Sequence, residues 1–357
     1  MSFGSSDYTT TANERTTKGM KAIVTRRPGQ GIEAWELTEL AEPTAGPGEV
    51  LVRVRATSLN YRDLMIARGL YLGAEQDLVP LSDGAGEVIG VGAGVARWKV
   101  GDRVAGAYHP HWLAGPVRPE YRGNIGAMAS NGWLAEQIVF PAEGLVRVPT
   151  HLSFEEAATL PCAAVTAWSV LFDGARPLKP GQTLLVQGTG GVSIFAAQLA
   201  LATGSRVIAT TSSAAKAARL RELGVEEVID YRTTPAWGAE TLRRTGGAGV
   251  DKVVEIGGAG TFEQSIEAVR LGGSIHVVGF VAGMDFAVNP MPILYKSLAV
   301  EGISVGSRQA FEDMNRLIDR ARLRPVIDEV FPLERASAAL AKLASGAHFG
   351  KIVVAVG

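Results

Sequence analysis

Gly188, Gly190 and Gly191 follow an apolar run over residues 182–187 and precede a helix-like stretch over residues 193–202. In that order of strand, turn and helix, Gly188 permits a tight turn and Gly190 lets the backbone approach a pyrophosphate. The helix N-terminus, with Thr189 and Val192 beside the glycines, offers free N–H groups and a positive dipole end. A bare Gly-x-Gly is weak evidence, but its place within a chain of such units makes it a dinucleotide-binding turn. Ser193 stands where the fingerprint has its third glycine and is small enough for close helix packing. A glycine turn without a ligand is the competing reading.

The end of the next strand separates NAD from NADP. A carboxylate there would bond the ribose 2′-hydroxyl and repel a 2′-phosphate. Here Thr210, Thr211, Ser212 and Ser213 are followed by Lys216, with Tyr231 and Arg232 after the third strand. Hydroxyls and a cation suit a phosphate dianion, so NADPH is the expected cofactor, with NAD still possible. The alternative is a helix capped by Ser212 or Ser213, with Lys216 solvated.

Metal and nucleophile chemistry find little support. Cys162 is the single cysteine, which excludes an internal disulfide and a thiolate-rich zinc site. It reads as a small buried apolar residue with no adjacent base. His109 and His111 form a lone pair of histidines in a long loop and read as solvated.

The elements that must position these residues change character along the chain. Residues 1–19 are rich in Ser, Thr and Gly and read as a disordered tail. Short strands bounded by Gly and Pro follow at 20–26, 49–59, 84–95 and 103–104, suggesting a partly open β barrel. A long loop over 106–132 carries little pattern. Beyond residue 149, strands at 182–187, 206–210, 225–230, 250–256 and 274–280 alternate with helices at 193–202, 214–223 and 262–270. That alternation predicts a parallel sheet covered on both faces. A strand at 299–305, a helix at 311–322 and a closing strand at 352–356 complete the expectation. Gly257 and the run Gly279-Phe280-Val281 fall at strand ends that open onto the cofactor crevice.

Length and charge agree. The 357 residues fit about two domains. Lys plus Arg is 35 and Asp plus Glu is 36, a balance that leaves no electrostatic footprint for nucleic acid or an anionic membrane. No apolar run is long enough to span a bilayer, and the start lacks the order of a signal peptide. A cytoplasmic location is expected.

The chain resembles the zinc-independent, quinone-oxidoreductase-like and alcohol-dehydrogenase-like branch of the medium-chain dehydrogenase/reductase superfamily. The stretches that carry the resemblance run in order from residue 20 to the C-terminus. They are Gly48-Glu-Val-Leu-Val, Ser58-Leu-Asn-Tyr-Arg-Asp63, Ser82-Asp-Gly-Ala-Gly-Glu-Val88 and Val100-Gly-Asp-Arg-Val104. Ala157 to Trp168, the Gly188 turn, Gly306-Ser-Arg308 and His348-Phe-Gly-Lys-Ile352 follow.

The resemblance implies an α/β fold: a GroES-like, partly open β barrel over residues 20–163, a Rossmann doubly wound parallel sheet over 164–306, and residues 307–357 returning to the barrel. The active site would lie in the cleft between them. Zinc-dependent members hold catalytic zinc through Cys, His and Cys; here those positions are Asn60, Ser82 and Cys162, and two neutral oxygens are poor zinc ligands, so no zinc is expected. Asn60 would hold the ribose or the substrate oxygen, Tyr61 would donate a proton or hydrogen bond, and Asp63 would tie down the loop. The resemblance also brings Thr166, Ser307, Arg308, Gly350 and Lys351 to the cofactor. Trp112, Tyr121 and Trp133 would form an apolar lid.

Without a metal, electrophilic acceptors are favoured, so the leading expectation is NADPH-dependent reduction of a quinone or an α,β-unsaturated carbonyl. A metal-free NAD(P)-dependent alcohol dehydrogenase or aldehyde reductase and a non-catalytic NADPH-binding protein remain open. A homodimer formed through the strand near 299–305 is also implied.

Overall fold

Val50, Val52, Val54 and Ala56 alternate along one strand and all four are buried, so a single face of that strand builds a core. The computed structural model describes residues 19–26, 31–71, 77–121, 125–127, 130–174 and 176–357. The expected tail lies outside these residues, apart from Gly19, which opens β1 (Gly19–Thr25) instead of ending the tail. β1 pairs antiparallel with β2 (Trp35–Ala41). β3 (Glu49–Ser58), the strand of alternating valines, leads into α1 (Tyr61–Ala67). β4 (Asp83–Val91), β5 (Arg103–Gly106), β6 (Gln137–Pro141) and β7 (Leu145–Arg147) complete the first part of the barrel.

Trp133 lies at the centre of that barrel, fully buried and packed on Phe140 with ring centroids 5.2 Å apart. Gly84 and Gly106 make room for it: a Cβ on either would come within 2.3 Å of the indole. The expectation that Trp133 forms part of a lid is therefore corrected; its ring fills the barrel wall.

The crossing to the second sheet runs through α2 (Phe154–Ala157), one wide π turn over Leu160–Ala164, and α3 (Val165–Phe172). β8 (Thr183–Gln187) is buried along its whole length. α4 (Gly191–Ala202), β9 (Arg206–Thr211), α5 (Ala214–Glu222), β10 (Glu227–Asp230) and α6 (Trp237–Arg244) follow. The sheet is finished by β11 (Val250–Glu255), α7 (Phe262–Ala268), β12 (Val269–Val277), α8 (Met291–Tyr295) and β13 (Ala299–Gly302).

All pairings are parallel, in the order β10-β9-β8-β11-β12-β13, which is the doubly wound Rossmann order. Leu184 and Val186 face the helices that carry Phe195 and Leu220, whereas Leu185 faces Phe262 and Trp237. Both faces of the sheet's centre are covered, and β8 accordingly has no exposed side.

α9 (Arg308–Ala321), β14 (Ile327–Pro332), α10 (Ala336–Ser345) and β15 (Lys351–Ala355) close the chain. β15 pairs antiparallel with β3, so the C-terminus does return to the barrel, whose sheet runs β14-β15-β3-β4-β5-β7 with β6 also on β3. β12 begins at Val269, inside the stretch expected to be helical, because Val269 is buried in the sheet's core. No helix among the described residues is long and apolar enough to cross a membrane.

Candidate active site

The glycine turn adopts the conformation its sequence demands. Gly188 has φ +66°, Gly190 is the N-cap of α4, and the first bond within that helix is Ile194 N to Gly190 O at 3.0 Å. The amides before it project from the helix end. A Cβ built on Gly190 would meet nothing within 4 Å, so the space before the helix is open to a ligand. Ser193, fully buried, donates its hydroxyl to the Gln187 carbonyl at 2.6 Å, which explains how a serine fits the third glycine position. Thr189 accepts a hydrogen bond from Gly350 N at 2.8 Å, and Gly190 bridges Gly350. Gly191 lies against Lys351, whose Cδ would be 2.6 Å from a Cβ there. The returning barrel strand thus closes on the turn.

The loops after β11 and β12 are tied to one another beside it. Val281 N donates to Ile256 O and Ala282 N to Gly257 O, which brings Gly257, Gly279, Phe280 and Val281 together. Beneath them Glu255, fully buried, accepts from Gly257 N at 2.9 Å, Gly258 N at 3.0 Å and Thr261 Oγ1 at 2.5 Å. Its other oxygen accepts from Gln187 Nε2 at 2.7 Å and from Ser265 Oγ. This carboxylate holds the crevice loops in shape. A lone acid inside the run Val-Val-Glu-Ile was its sequence signal, passed over in the residue-level reading.

At the opposite end of the turn, Thr211 is buried and accepts from Tyr231 N at 3.0 Å, so the two meet. Ser213 caps α5, accepting from Lys216 N, and Ser212 lies beside it. Lys216 Nζ donates to Gly346 O at 2.8 Å. Burial lowers the Lys216 pKa, with Arg219 adding to the effect and Asp328 opposing it. His348, missed by residue reasoning, shares this region: burial first, then the Lys216 charge, pushes its imidazole down to about 4.

Between the barrel and the turn lies a buried polar chamber. Lys351 Nζ donates to Leu59 O and to Asn60 Oδ1, both at 2.6 Å, and stands 3.7 Å from Asp83 Oδ2. Ser82 Oγ and Cys162 N donate to the same Asp83 carboxylate at 2.9 and 3.3 Å. Asp63 Oδ2 accepts from Asn60 N at 2.7 Å and forms a capping box at the start of α1. Burial raises the Asp63 carboxyl to about 6, Arg62 and the Asn60 amide holding it back. Burial, reinforced by Asp83, pushes the Cys162 thiol far up, so it stays protonated at neutral pH. The Tyr61 ring meets Phe280 edge-on, centroids 6.3 Å apart, joining α1 to the crevice loops.

Other expected residues lie at the margins. Ser307 caps α9, and Arg308 binds Glu143 through the Glu143 carbonyl at 2.9 Å and its carboxylate at 2.5 Å. Trp112 Nε1 donates to Gly115 O, Tyr121 stacks with Arg118, and Thr166 is buried on α3. His109 is buried rather than solvated, packed against Tyr108 and Trp112.

Two family models match the chain: the alcohol dehydrogenase GroES-like domain over residues 46–150 and the zinc-binding dehydrogenase over residues 191–320. A zinc-type alcohol dehydrogenase-like protein of Schizosaccharomyces pombe is 42% identical over 87% of this chain and 91% of its own. The chain belongs to the medium-chain dehydrogenase/reductase superfamily. It is an NAD(P)H-dependent oxidoreductase. The acryloyl-coenzyme A reductase of Metallosphaera sedula is 28% identical over 94% of this chain and 99% of its own. The solved crotonyl-CoA carboxylase/reductase AntE, in complex with NADP, superposes with a TM-score of 0.85 at 25% identity, with 95% of each chain covered.

As a medium-chain dehydrogenase/reductase, the protein presents residues that fit a dinucleotide: an open helix end at Gly190, crevice loops braced by Glu255, and a cation with hydroxyls beyond β9. Its residues do not fit zinc. At the three ligand positions stand an amide, a hydroxyl and a thiol held protonated, and the Lys351 ammonium already donates to Asn60.

Proposed function

We propose that the protein is a zinc-independent, NADPH-dependent reductase of α,β-unsaturated carbonyls or quinones. The observation that carries this is the buried Lys351 ammonium, seated on Leu59 O and Asn60 Oδ1 beside Asp83 where a metal-dependent relative needs its ion. A simple ketone or aldehyde profits most from a Lewis acid, whereas a conjugated acceptor needs only positioning and hydrogen bonds. The relationship to acryloyl- and crotonyl-coenzyme A reductases supports conjugated acceptors.

When bound, the reduced nicotinamide supplies a hydride. The chain's own residues do the rest. The amides at the start of α4 take the pyrophosphate. Lys216, with Thr211, Ser212 and Tyr231, takes the 2′-phosphate, and Thr166 and the Phe280 loop border the nicotinamide. Asn60 Nδ2 is buried without a close acceptor among the described residues, faces the Asp83 carboxylate, and can turn its N–H to a ribose or substrate oxygen. Tyr61, next to Phe280, donates a proton or hydrogen bond to the substrate oxygen. Two copies pair through β13, whose outer edge is unpaired among the described residues and which carries the exposed Val300.

The test is oxidation of NADPH in the presence of a quinone, an enone and a simple aldehyde. Turnover of the quinone or enone is expected. Turnover of the aldehyde alone would replace this reading with a metal-free alcohol dehydrogenase, and tight NADPH binding without turnover would make it a non-catalytic NADPH-binding protein.

A further inference from the structure

Arg62, the second residue of α1, has only 9% of its side chain exposed and borders the same chamber, its charge acting on both Asp63 and Cys162. Its guanidinium is held between the rings of Tyr71 and Tyr108, 5.2 Å from each centroid. Nη1 donates to Ile125 O at 2.9 Å and stands 3.5 Å from Asp63 Oδ1. Nε and Nη2 are buried and have no partner among the described residues. These two nitrogens lie on one edge of the planar group, where their N–H bonds run parallel, and that edge grips a carboxylate or oxyanion with two bonds.

A guanidinium stays charged at any working pH, and buried donors left without acceptors are costly. One whole open edge, rather than a scattered pair of orphans, implies an absent oxygen ligand. The described neighbours do not supply one: Asp63 reaches only Nη1, and its other oxygen is taken by Asn60 N. Lys351, the second cation of the chamber, is already bonded. The position is suitable, because adjacent Tyr61 touches Phe280 and Asn60 reaches Lys351 on the glycine turn.

We propose that the open Nε/Nη2 edge of Arg62 is the substrate-oxygen site, binding the carbonyl oxygen of the conjugated acceptor and the negative charge that gathers there. This rests on the reductase reading above. As hydride from the reduced nicotinamide forms a C–H bond at the far carbon, the carbon–carbon π pair moves toward the carbonyl. The carbonyl π pair then passes onto the oxygen. The resulting enolate oxygen is the anion Arg62 holds, and one proton at the near carbon restores the carbonyl. The substrate gains two electrons and two hydrogens, and the nicotinamide is oxidised.

The experiment compares wild type with Arg62→Met and Arg62→Lys, using benzoate as a carboxylate probe in calorimetry on the cofactor-free protein. Binding in wild type, its loss in Arg62→Met and its weakening in Arg62→Lys are expected. With an enone, kcat should fall about 100-fold in Arg62→Met, the scale of a lost oxyanion donor, while the NADPH Kd stays within about twofold of wild type. Added guanidinium should restore part of the rate in Arg62→Ala. If Arg62→Met does not fold, Arg62→Lys carries the test. It cannot reproduce the two-pronged edge and should lose about tenfold in kcat. Wild-type turnover with kcat and benzoate binding unchanged in a folded variant overturns the proposal and leaves the reductase reading intact. Benzoate bound through Arg62 with no acceptor reduced keeps the oxygen site and removes the reductase reading.

Discussion

A lysine just inside a helix can neutralise a phosphate or cap a neighbouring backbone, and Lys216 shows how near the two roles lie. Its ammonium rests on Gly346 O, an acceptor at the end of α10 that a phosphate dianion would displace. Replacing Lys216 with Ala should raise the NADPH Kd about 10- to 100-fold, the value of a charged hydrogen bond, and leave NADH binding unchanged; fluorescence titration measures both. The residue and its hydroxyl neighbours were legible in the sequence, but the acceptor it uses was not, since it lies 130 positions away. His276, buried on β12, was not singled out by the sequence at all. Burial first, and then Lys252, hold its imidazole down to about 3 against an ordinary 6.5. The unfolded chain therefore binds a proton that the folded one refuses, and the stability His276 contributes above pH 6.5 is lost as pH falls toward 3. Thermal midpoints of His276→Gln across that window should show a shallower acid slope than wild type.

Elements were read well where a period was long. α4, β8 and β9 were legible because their apolar runs are bounded by glycines, whereas β7 has three residues and β14 is half exposed, so neither carries a period to read. α4 begins at Gly191, earlier than its apolar pattern does, because glycine is needed where β15 comes alongside. Gly191→Val would force its Cβ against Lys351 Cδ and Ala163 Cβ, at 2.6 and 3.1 Å. Displacing Lys351 there disturbs both the helix end and the chamber. The NADPH Kd should rise by about tenfold or more, as expected when binding groups lose their alignment, and the enone kcat should fall with it. Equilibrium binding and steady-state rates on the same preparation check the pair of effects.

For the whole molecule, the decisive feature is that the chain leaves the barrel, builds the six-stranded sheet and returns. β15 reaches both β3 and the glycine turn, and Arg308 meets Glu143 across the same junction. The cleft is therefore held from two directions. The sheet's free edge belongs to this scale as well. Val300 on β13 has 39% of its surface exposed, and Leu294 and Tyr295 on the preceding α8 are exposed as well. If two copies pair through β13 as proposed, Val300→Lys should shift the wild-type dimer to monomers in sedimentation analysis, since a charge on an edge strand opposes pairing. An unchanged sedimentation coefficient would remove β13 from the interface.

Local rules in the chain by itself determined the alternating strands and helices, the glycine turn between β8 and α4, and the run of hydroxyls with Lys216 after β9. Each follows from the type and spacing of neighbouring residues. Tertiary structure alone decided that Lys351 sits on Asn60, that Trp133 fills the barrel, that Glu255 braces the crevice and that Arg62 keeps an open edge. Those outcomes depend on which buried polar groups find partners, and the partners come from segments that only the returning chain brings together.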